Sequence, residues 1–290
     1  MSAAKPKKAA ADRCVAYVYG VARVQPDGES APLLLEGIVP QASVERLAHG
    51  DLVAFISMVP AGQFGADELR AALADAEWLR DRVLAHERTV ERLCSSRGVV
   101  PFRFCTVYRG AAEVSDVLAR HRVDLERALD RVRGASEWGV KLYYDPDALR
   151  RQVEAASKAI GDLRGTLAGA APGAQFFLRK KFDRALDAEM SSSIATCVEH
   201  SRRRLDEAAR EAVEVEIQPP GTHGKPAVMV MNAAYLVDEA AFSGFKRTLA
   251  ELGAEFAAHG FDYELTGPWP AYHFVSFGQG RDDDAAASGQ

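Results

Sequence analysis

Residues 138–146 read Trp-Gly-Val-Lys-Leu-Tyr-Tyr-Asp-Pro, and they begin the second half of the chain. The first seven of these residues are rich in aromatic and aliphatic side chains, which predicts a β-strand. Asp145 then supplies a side-chain acceptor at the N-cap of a helix, and Pro146 suits the first helical position. The stretch therefore predicts a strand that passes directly into a helix.

The segments after this strand complete the order β-α-β-β-α-β. Hydrophobic periodicity and turn residues predict helices at 149–167, 174–212 and 239–259, and strands at 213–217, 227–237 and 261–265. Pro172 and Gly173 break the first two helices apart, so these form a helical hairpin. We therefore expect a ferredoxin-like domain in which the first crossover is enlarged into this hairpin.

The first half of the chain has a different pattern. Strands or extended segments are expected at 13–24, 33–39, 52–59 and 99–108, and helices at 77–97 and 113–133. No repeat of solenoid length is visible. The predicted fold class is α+β with two domains, at 13–134 and 135–277. A disordered tail at 1–12 and an acidic disordered tail at 278–290 are expected to flank them.

Composition limits the function classes. The chain has 290 residues, 48% of them hydrophobic and 27% charged, with a net charge of −5. This is typical of a globular protein and argues against a dedicated nucleic-acid binder, which has a basic surface. The first residues lack the apolar core of a signal peptide, and the apolar run at 52–59 is too short to cross a bilayer. We therefore expect a cytoplasmic protein that does not enter membranes.

Residues with catalytic potential are few and lack partners at recognisable spacing. His86 and His121 are placed on the apolar faces of two predicted helices, as two metal ligands or a base with its orienting group would be. Cys105 follows Arg103 closely and is a candidate thiolate. No third metal ligand and no base for the cysteine has supporting spacing. Hydrogen-bonded core histidines and an inert thiol are the expectation, with no catalytic residue, cofactor or metal.

Residues 267–275 read Gly-Pro-Trp-Pro-Ala-Tyr-His-Phe-Val and are called the aromatic strap below. The two prolines restrict the backbone to extended conformations. The candidate site residues of the chain all lie here: Pro268, Trp269, Pro270, Tyr272 and Phe274. They are expected either to bind a partner or to act as a clasp that packs back across the seam between the two domains.

Four segments resemble the gas vesicle protein L and F family (GvpL/GvpF), and the resemblance extends over nearly the whole chain. They are Tyr-Val-Tyr-Gly at 17–20, Val-Pro-Phe-Arg-Phe at 100–104, Met-Asn-Ala-Ala-Tyr-Leu-Val at 231–237 and Thr-Gly-Pro-Trp-Pro at 266–270. The chain departs from the family pattern at two positions. Cys105 replaces a glycine, which disfavours a positive φ there, and Ala271 replaces a second proline after Trp-Pro.

This resemblance implies a non-enzymatic protein that takes part in building gas vesicles. It implies two α+β domains, and partners that are the hydrophobic shell protein and other accessory proteins during vesicle nucleation or growth. The alternative is an α+β ligand-binding protein or enzyme that uses the cleft between its domains, with His86, His121 or Cys105 in that cleft. RNA binding by the ferredoxin-like sheet is a weaker third possibility, since the expected aromatic strand motif is not found.

Overall fold

The computed structural model describes residues 14–25, 33–96, 98–219 and 227–275. The two predicted tails, at 1–12 and 278–290, lie outside these residues. The chain divides into two compact units. The first contains the residues up to Gly134 and those from Trp269 onward, and the second contains Ala135–Pro268. The predicted domain ranges differ from these units because the residues after Pro268 group with the first unit.

The first unit is built on a five-stranded sheet. Its strands are β1 (Cys14–Arg23), β2 (Glu45–His49), β3 (Leu52–Pro60), β4 (Val99–Pro101) and β5 (Val107–Tyr108). The order is β2-β3-β1-β4, β5 also pairs with β1, and all these pairs are antiparallel. The central strand β1 is buried from Ala16 to Ala22, as expected for a strand covered on both faces.

Helices pack against this sheet. The described part of the first unit contains α1 (Ala61–Phe64), α2 (Ala66–Ala72), α3 (Ala76–Ser96), α4 (Ala111–Arg120) and α5 (Arg122–Val132). Val90 and Leu93 of α3 are buried together with Tyr17, Tyr19 and Phe55 of the sheet. The core of the first unit therefore includes two tyrosines whose hydroxyl groups need hydrogen-bond partners.

Two predicted elements of the first unit are wrong in detail. The segment at 33–39 is no strand; it forms one isolated bridge, between Glu36 and Ser43, and the backbone amide of Ile38 donates to the Tyr19 hydroxyl instead of to a neighbouring strand. The single helix expected at 113–133 is two helices, because His121 has φ −108° and ψ 19° and ends one helix as it begins the next.

The second unit holds a four-stranded sheet. Its strands are β6 (Ala135–Tyr144), β7 (Glu211–Glu214), β8 (Val228–Asp238) and β9 (Phe261–Trp269), in the order β7-β8-β6-β9. The strand predicted at 138–144 is β6, one of the two inner strands. β8 is antiparallel to both β6 and β7. With two sheets and helices in both units, the chain has a mixed α and β fold.

The helices of the second unit follow from local signals. They are α6 (Pro146–Ala156), α7 (Lys158–Ala168), α8 (Pro172–Ala208) and α9 (Phe242–Phe256). Asp145 caps α6 by accepting from the backbone amides of Asp147 and Ala148, as its position before Pro146 predicts. The helix expected at 149–167 is interrupted at Ser157, whose extended backbone and side chain form the N-cap of α7.

One core fills the space between this sheet and its helices. It joins Val140 and Leu142 of β6 to Met231 of β8 and to Phe245 and Leu252 of α9. Helix α8 contributes to it only through its later part. All the buried residues of α8 follow position 181: Phe182, Leu186, Cys197, Ser201 and Leu205. Since α8 has 37 residues, about ten residues at its start extend beyond the core.

Candidate functional site

The aromatic strap divides into an exposed and a buried part. Pro268 is exposed, and Trp269 at the end of β9 is 45% exposed. Pro270 is buried, and Phe274 is only 1% exposed. The guanidinium carbon of Arg131, on α5, lies 6.0 Å from the centre of the Phe274 ring. The strap residues after Trp269 thus form part of the first unit.

Tyr272 of the strap belongs to a buried network of hydrogen-bonded polar groups. Its hydroxyl lies 3.2 Å from Nε2 of His86, which is fully buried on α3. The other ring nitrogen, Nδ1, lies 2.8 Å from the Tyr17 hydroxyl on β1. The Tyr17 hydroxyl accepts from the backbone amide of Cys105 at 3.1 Å, and the Tyr272 hydroxyl donates to Glu87 at 3.4 Å. Both nitrogens of His86 are therefore engaged.

The hydrogen positions in this network follow from the groups at its two ends, the Glu87 carboxylate and the backbone amide of Cys105. A carboxylate only accepts hydrogen bonds, so the single proton of the Tyr272 hydroxyl points to Glu87. Within these contacts that hydroxyl accepts from His86, which assigns the imidazole hydrogen to Nε2 and leaves Nδ1 to accept from Tyr17. The backbone of Phe102 is a further hydrogen-bond partner of the imidazole. We infer a neutral His86 in one fixed tautomer.

Burial shifts the pKa values of these groups in a consistent direction. Desolvation lowers the pKa of His86 to about 4, against an opposing hydrogen bond with the backbone of Phe102. It also raises the pKa of Glu87 and takes the pKa of Tyr17 and Tyr272 far above the ordinary value of tyrosine. At neutral pH the site consequently holds an uncharged imidazole between two uncharged phenols.

Cys105 lies beside this hydrogen-bond network and has an unusual backbone conformation. Its φ is +66°, the one positive value among the described residues other than glycine. The positive φ that a cysteine was expected to disfavour is therefore present. Burial raises the pKa of its thiol to about 11, so it is a thiol and no thiolate at neutral pH. The arrangement gives no support to the candidate nucleophile.

His121, the second candidate histidine, stands at the junction of α4 and α5 and not on a continuous helical face. Among the described residues, no three His, Cys, Asp or Glu side chains are grouped closely enough to hold a metal ion. In the same part of the chain, no helix combines the length and the apolar composition that a membrane span requires.

The structure contains an exposed pair of aromatic side chains that the sequence pattern did not predict. Phe176 and Phe177, near the start of α8, are 63% and 72% exposed. Their ring centres are 5.7 Å apart with the planes at 79°, an edge-to-face arrangement. The Nζ atom of Lys180 lies 5.0 Å from the centre of the Phe176 ring. The apolar stripe of α8 was predicted, but periodicity does not show that the helix begins outside the core.

Known proteins similar to this chain are gas vesicle proteins. The model of a family described as "Gas vesicle synthesis protein GvpL/GvpF" matches residues 15–276. Gas vesicle protein L of a Streptomyces species is 34% identical over 272 residues, which cover 91% of this chain and 93% of the relative. Gas vesicle protein L2 of Halobacterium salinarum is 25% identical over 210 residues, which cover 69% and 73% of the two chains.

Two solved structures share the fold. The crystal structures of gas vesicle protein GvpF from Anabaena sp. PCC7120 and from Microcystis aeruginosa align with TM-scores of 0.69 and 0.62. Each alignment covers 91% of this chain and 99% of the other, at 17% identity. At this level of identity the likeness concerns the fold alone.

Proposed function

Because the chain belongs to the GvpL/GvpF family of gas vesicle synthesis proteins, we propose that it is a non-enzymatic assembly protein that binds the hydrophobic shell protein and other accessory proteins during vesicle nucleation or growth. The observation that carries this proposal is the family match over residues 15–276, which includes residues of both units. We propose that the protein acts in the cytoplasm.

The hydrogen bonds and pKa values of its buried polar side chains support a binding role over a catalytic one. His86 forms hydrogen bonds through both ring nitrogens, and burial holds its pKa near 4, away from the range of a general base at neutral pH. The Cys105 thiol has its pKa raised to about 11. A shell subunit with a strongly apolar face must be kept from random aggregation until it is placed, and binding alone is sufficient for that task.

For the aromatic strap we infer an anchoring role within the first unit. Phe274 is buried and Tyr272 bonds to His86 and Glu87, so these two side chains fix the strap. Trp269 and Pro268 are the members left accessible to a partner. We therefore propose that Tyr272 and Phe274 anchor the strap and that Pro268 and Trp269 are its candidate partner-binding residues.

We also infer that the second unit is ferredoxin-like, with its first crossover enlarged into a helical hairpin. The element order β6-α6-α7-α8-β7-β8-α9-β9 and the strand order β9-β6-β8-β7 support this, since the fold places its four strands in the order four, one, three, two. A crystal structure with another strand order would contradict it.

A mixing experiment tests the proposed function. Purified shell protein would be diluted from denaturant into buffer with the full chain or with an unrelated globular protein of similar size. We expect co-purification with the full chain and less light scattering, because the apolar face of the shell protein is covered. No complex and unchanged scattering would contradict the proposal. A small-molecule-dependent rise in melting temperature together with that result would favour the ligand-binding alternative.

The stage at which the protein acts needs a second measurement. Quantitative protein analysis of intact vesicles, washed until soluble proteins are removed, separates two forms of the proposal. A constant ratio of this chain to the shell protein would identify a constituent of the shell. Loss of the chain on washing would identify an assembly factor that leaves the finished vesicle.

A further inference from the structure

Residues 161–181 form the tip of the helical hairpin and lie largely outside the core of the second unit, against which Leu163 packs. The tip contains most of α7, the connection and the start of α8, and none of its residues is buried. Phe176 and Phe177 lie on this tip with most of their surface in water. The two rings contact each other edge to face and so form one continuous aromatic surface. An exposed aromatic pair of this kind marks an interaction surface.

The charges around the pair are strongly biased. Residues 161–181 contain four basic residues, Arg164, Arg179, Lys180 and Lys181, and one acidic residue, Asp162. Arg164 pairs with Glu154, whereas Arg179, Lys180 and Lys181 form no ion pair within the described ranges. The tip thus has a net charge of +3 in a chain whose net charge is −5. Its charges suit a partner with carboxylates beside an apolar surface.

Small residues surround the aromatic pair. Of the ten residues at 165–174, seven are glycine or alanine. Small side chains allow the backbone of a partner to approach closely, which favours a protein surface over a lipid surface as the occupant. A second copy of the same tip is disfavoured, because it would place three unpaired cations against three others.

We propose that the hairpin tip is the docking surface for the hydrophobic shell protein: Phe176 and Phe177 contact its apolar face, and Arg179, Lys180 and Lys181 contact acidic residues at the border of that face. This inference rests on the proposed function and specifies where on the chain the shell protein binds. The aromatic pair supplies buried apolar area, and the cations select the orientation and accelerate association.

The test compares variants of the full chain for binding to shell protein fused to a soluble carrier. The double variant F176S/F177S removes the aromatic pair, and K180E/K181E reverses two of the charges. The matched control L34S/V123S removes two exposed apolar side chains of the first unit, which are 88% and 57% exposed. Since all six positions are exposed, each variant should keep the circular dichroism spectrum and melting temperature of the parent chain.

We expect F176S/F177S to bind at least about tenfold more weakly, because buried aromatic residues dominate the affinity of protein interfaces. K180E/K181E should bind more weakly and lose most of the dependence of binding on salt. L34S/V123S should bind like the parent chain.

The outcomes separate this inference from the proposed function. If the parent chain does not bind the fusion, the proposed function fails and the docking surface with it. If the parent chain binds and F176S/F177S binds equally well, only the docking surface is wrong. Two further results would overturn it in favour of another occupant: loss of self-association in F176S/F177S by sedimentation, or loss of binding to phosphatidylserine-containing vesicles, with shell-protein binding unchanged in either case.

Discussion

The hydroxyl oxygen of Tyr272 lies 3.2 Å from Nε2 of His86, although 186 residues separate the two in the sequence. The same hydroxyl donates to Glu87, the residue next to His86 on α3. One strap side chain therefore completes the hydrogen bonding of a buried histidine and of a half-buried carboxylate. The strap supplies part of the polar interior of the first unit as well as part of its apolar core.

Replacing Tyr272 with phenylalanine tests the value of that hydroxyl. The variant leaves Nε2–H of His86 and the Glu87 carboxylate without this partner, so we expect a loss of about 1–3 kcal/mol in the free energy of unfolding, measured in urea. Tyr144→Phe is a suitable control, since the Tyr144 hydroxyl forms no hydrogen bond within the described part of the chain. That control should change stability by less than about 0.5 kcal/mol. Equal effects of the two substitutions would contradict the network.

The low pKa of His86 predicts that acid destabilises the protein. The pKa is about 4 in the folded state and 6.5 in the unfolded state, so the unfolded chain binds more protons between these values. The stability that comes from keeping His86 neutral is fully present above pH 6.5 and is lost as the pH falls toward 4. Between pH 7.5 and pH 5.5 the protein should lose roughly 1 kcal/mol of stability from this group.

The measurement is urea unfolding at both pH values for the parent chain and for His86→Gln, which cannot titrate at this position. The difference between the two chains isolates His86 from the other titrating groups. Glu87 acts in the opposite direction, because its raised pKa makes the folded state bind protons more readily than the unfolded state. Identical pH dependence in the parent and His86→Gln would show that burial does not shift this histidine.

The two large aromatic ends of the strap should differ in their contribution to stability. Phe274 is 1% exposed, so Phe274→Ala is expected to cost about 3–5 kcal/mol. Trp269 is 45% exposed, so Trp269→Ala should lower the free energy of unfolding by less, about 1–2 kcal/mol. Chemical unfolding of both variants checks the order. A cost of roughly 3 kcal/mol or more for Trp269→Ala would instead make this ring part of the core.

Local periodicity and turn residues were sufficient to predict most elements of the second unit. Strand β6, its passage into α6, the hairpin broken at Pro172 and the final helix are all present. Their signals are local: apolar residues at helical or strand spacing, a capping aspartate, and glycine or proline at the ends. The interruptions at His121 and Ser157 contain neither glycine nor proline, which is why each was predicted as continuous helix.

The hydrogen-bond network around His86 could not be predicted because its residues are distant in sequence. Tyr17 is 69 residues from His86, and Tyr272 is 186 residues from it. Single-sequence patterns identify which face of a helix is buried, and they placed His86 inside correctly. They do not specify which side chains from β1 and the strap meet it there, since tertiary packing decides that. The exposure of Phe176 and Phe177 escaped prediction because the apolar stripe of α8, which begins at Leu178, does not show where the helix leaves the core.

Cys105 offers a test of backbone strain at the position where the family pattern has glycine. A residue with a β-carbon at φ +66° adopts a left-handed conformation that costs roughly 1–2 kcal/mol, whereas glycine adopts it freely. Glycine also makes the unfolded chain more flexible, which offsets roughly 0.5–1 kcal/mol of that gain. We therefore expect Cys105→Gly to be more stable than the parent chain by up to about 1 kcal/mol.

Cys105→Ala is the matched variant for this prediction, since it removes the thiol but keeps the β-carbon. It should be no more stable than the parent chain, because the strained backbone is unchanged. Both variants retain the backbone amide that donates to the Tyr17 hydroxyl, so the hydrogen bonds around His86 should be unaffected. Urea unfolding of the three chains gives the comparison. If Cys105→Gly were less stable than Cys105→Ala, packing of the side chain would outweigh backbone strain at this position.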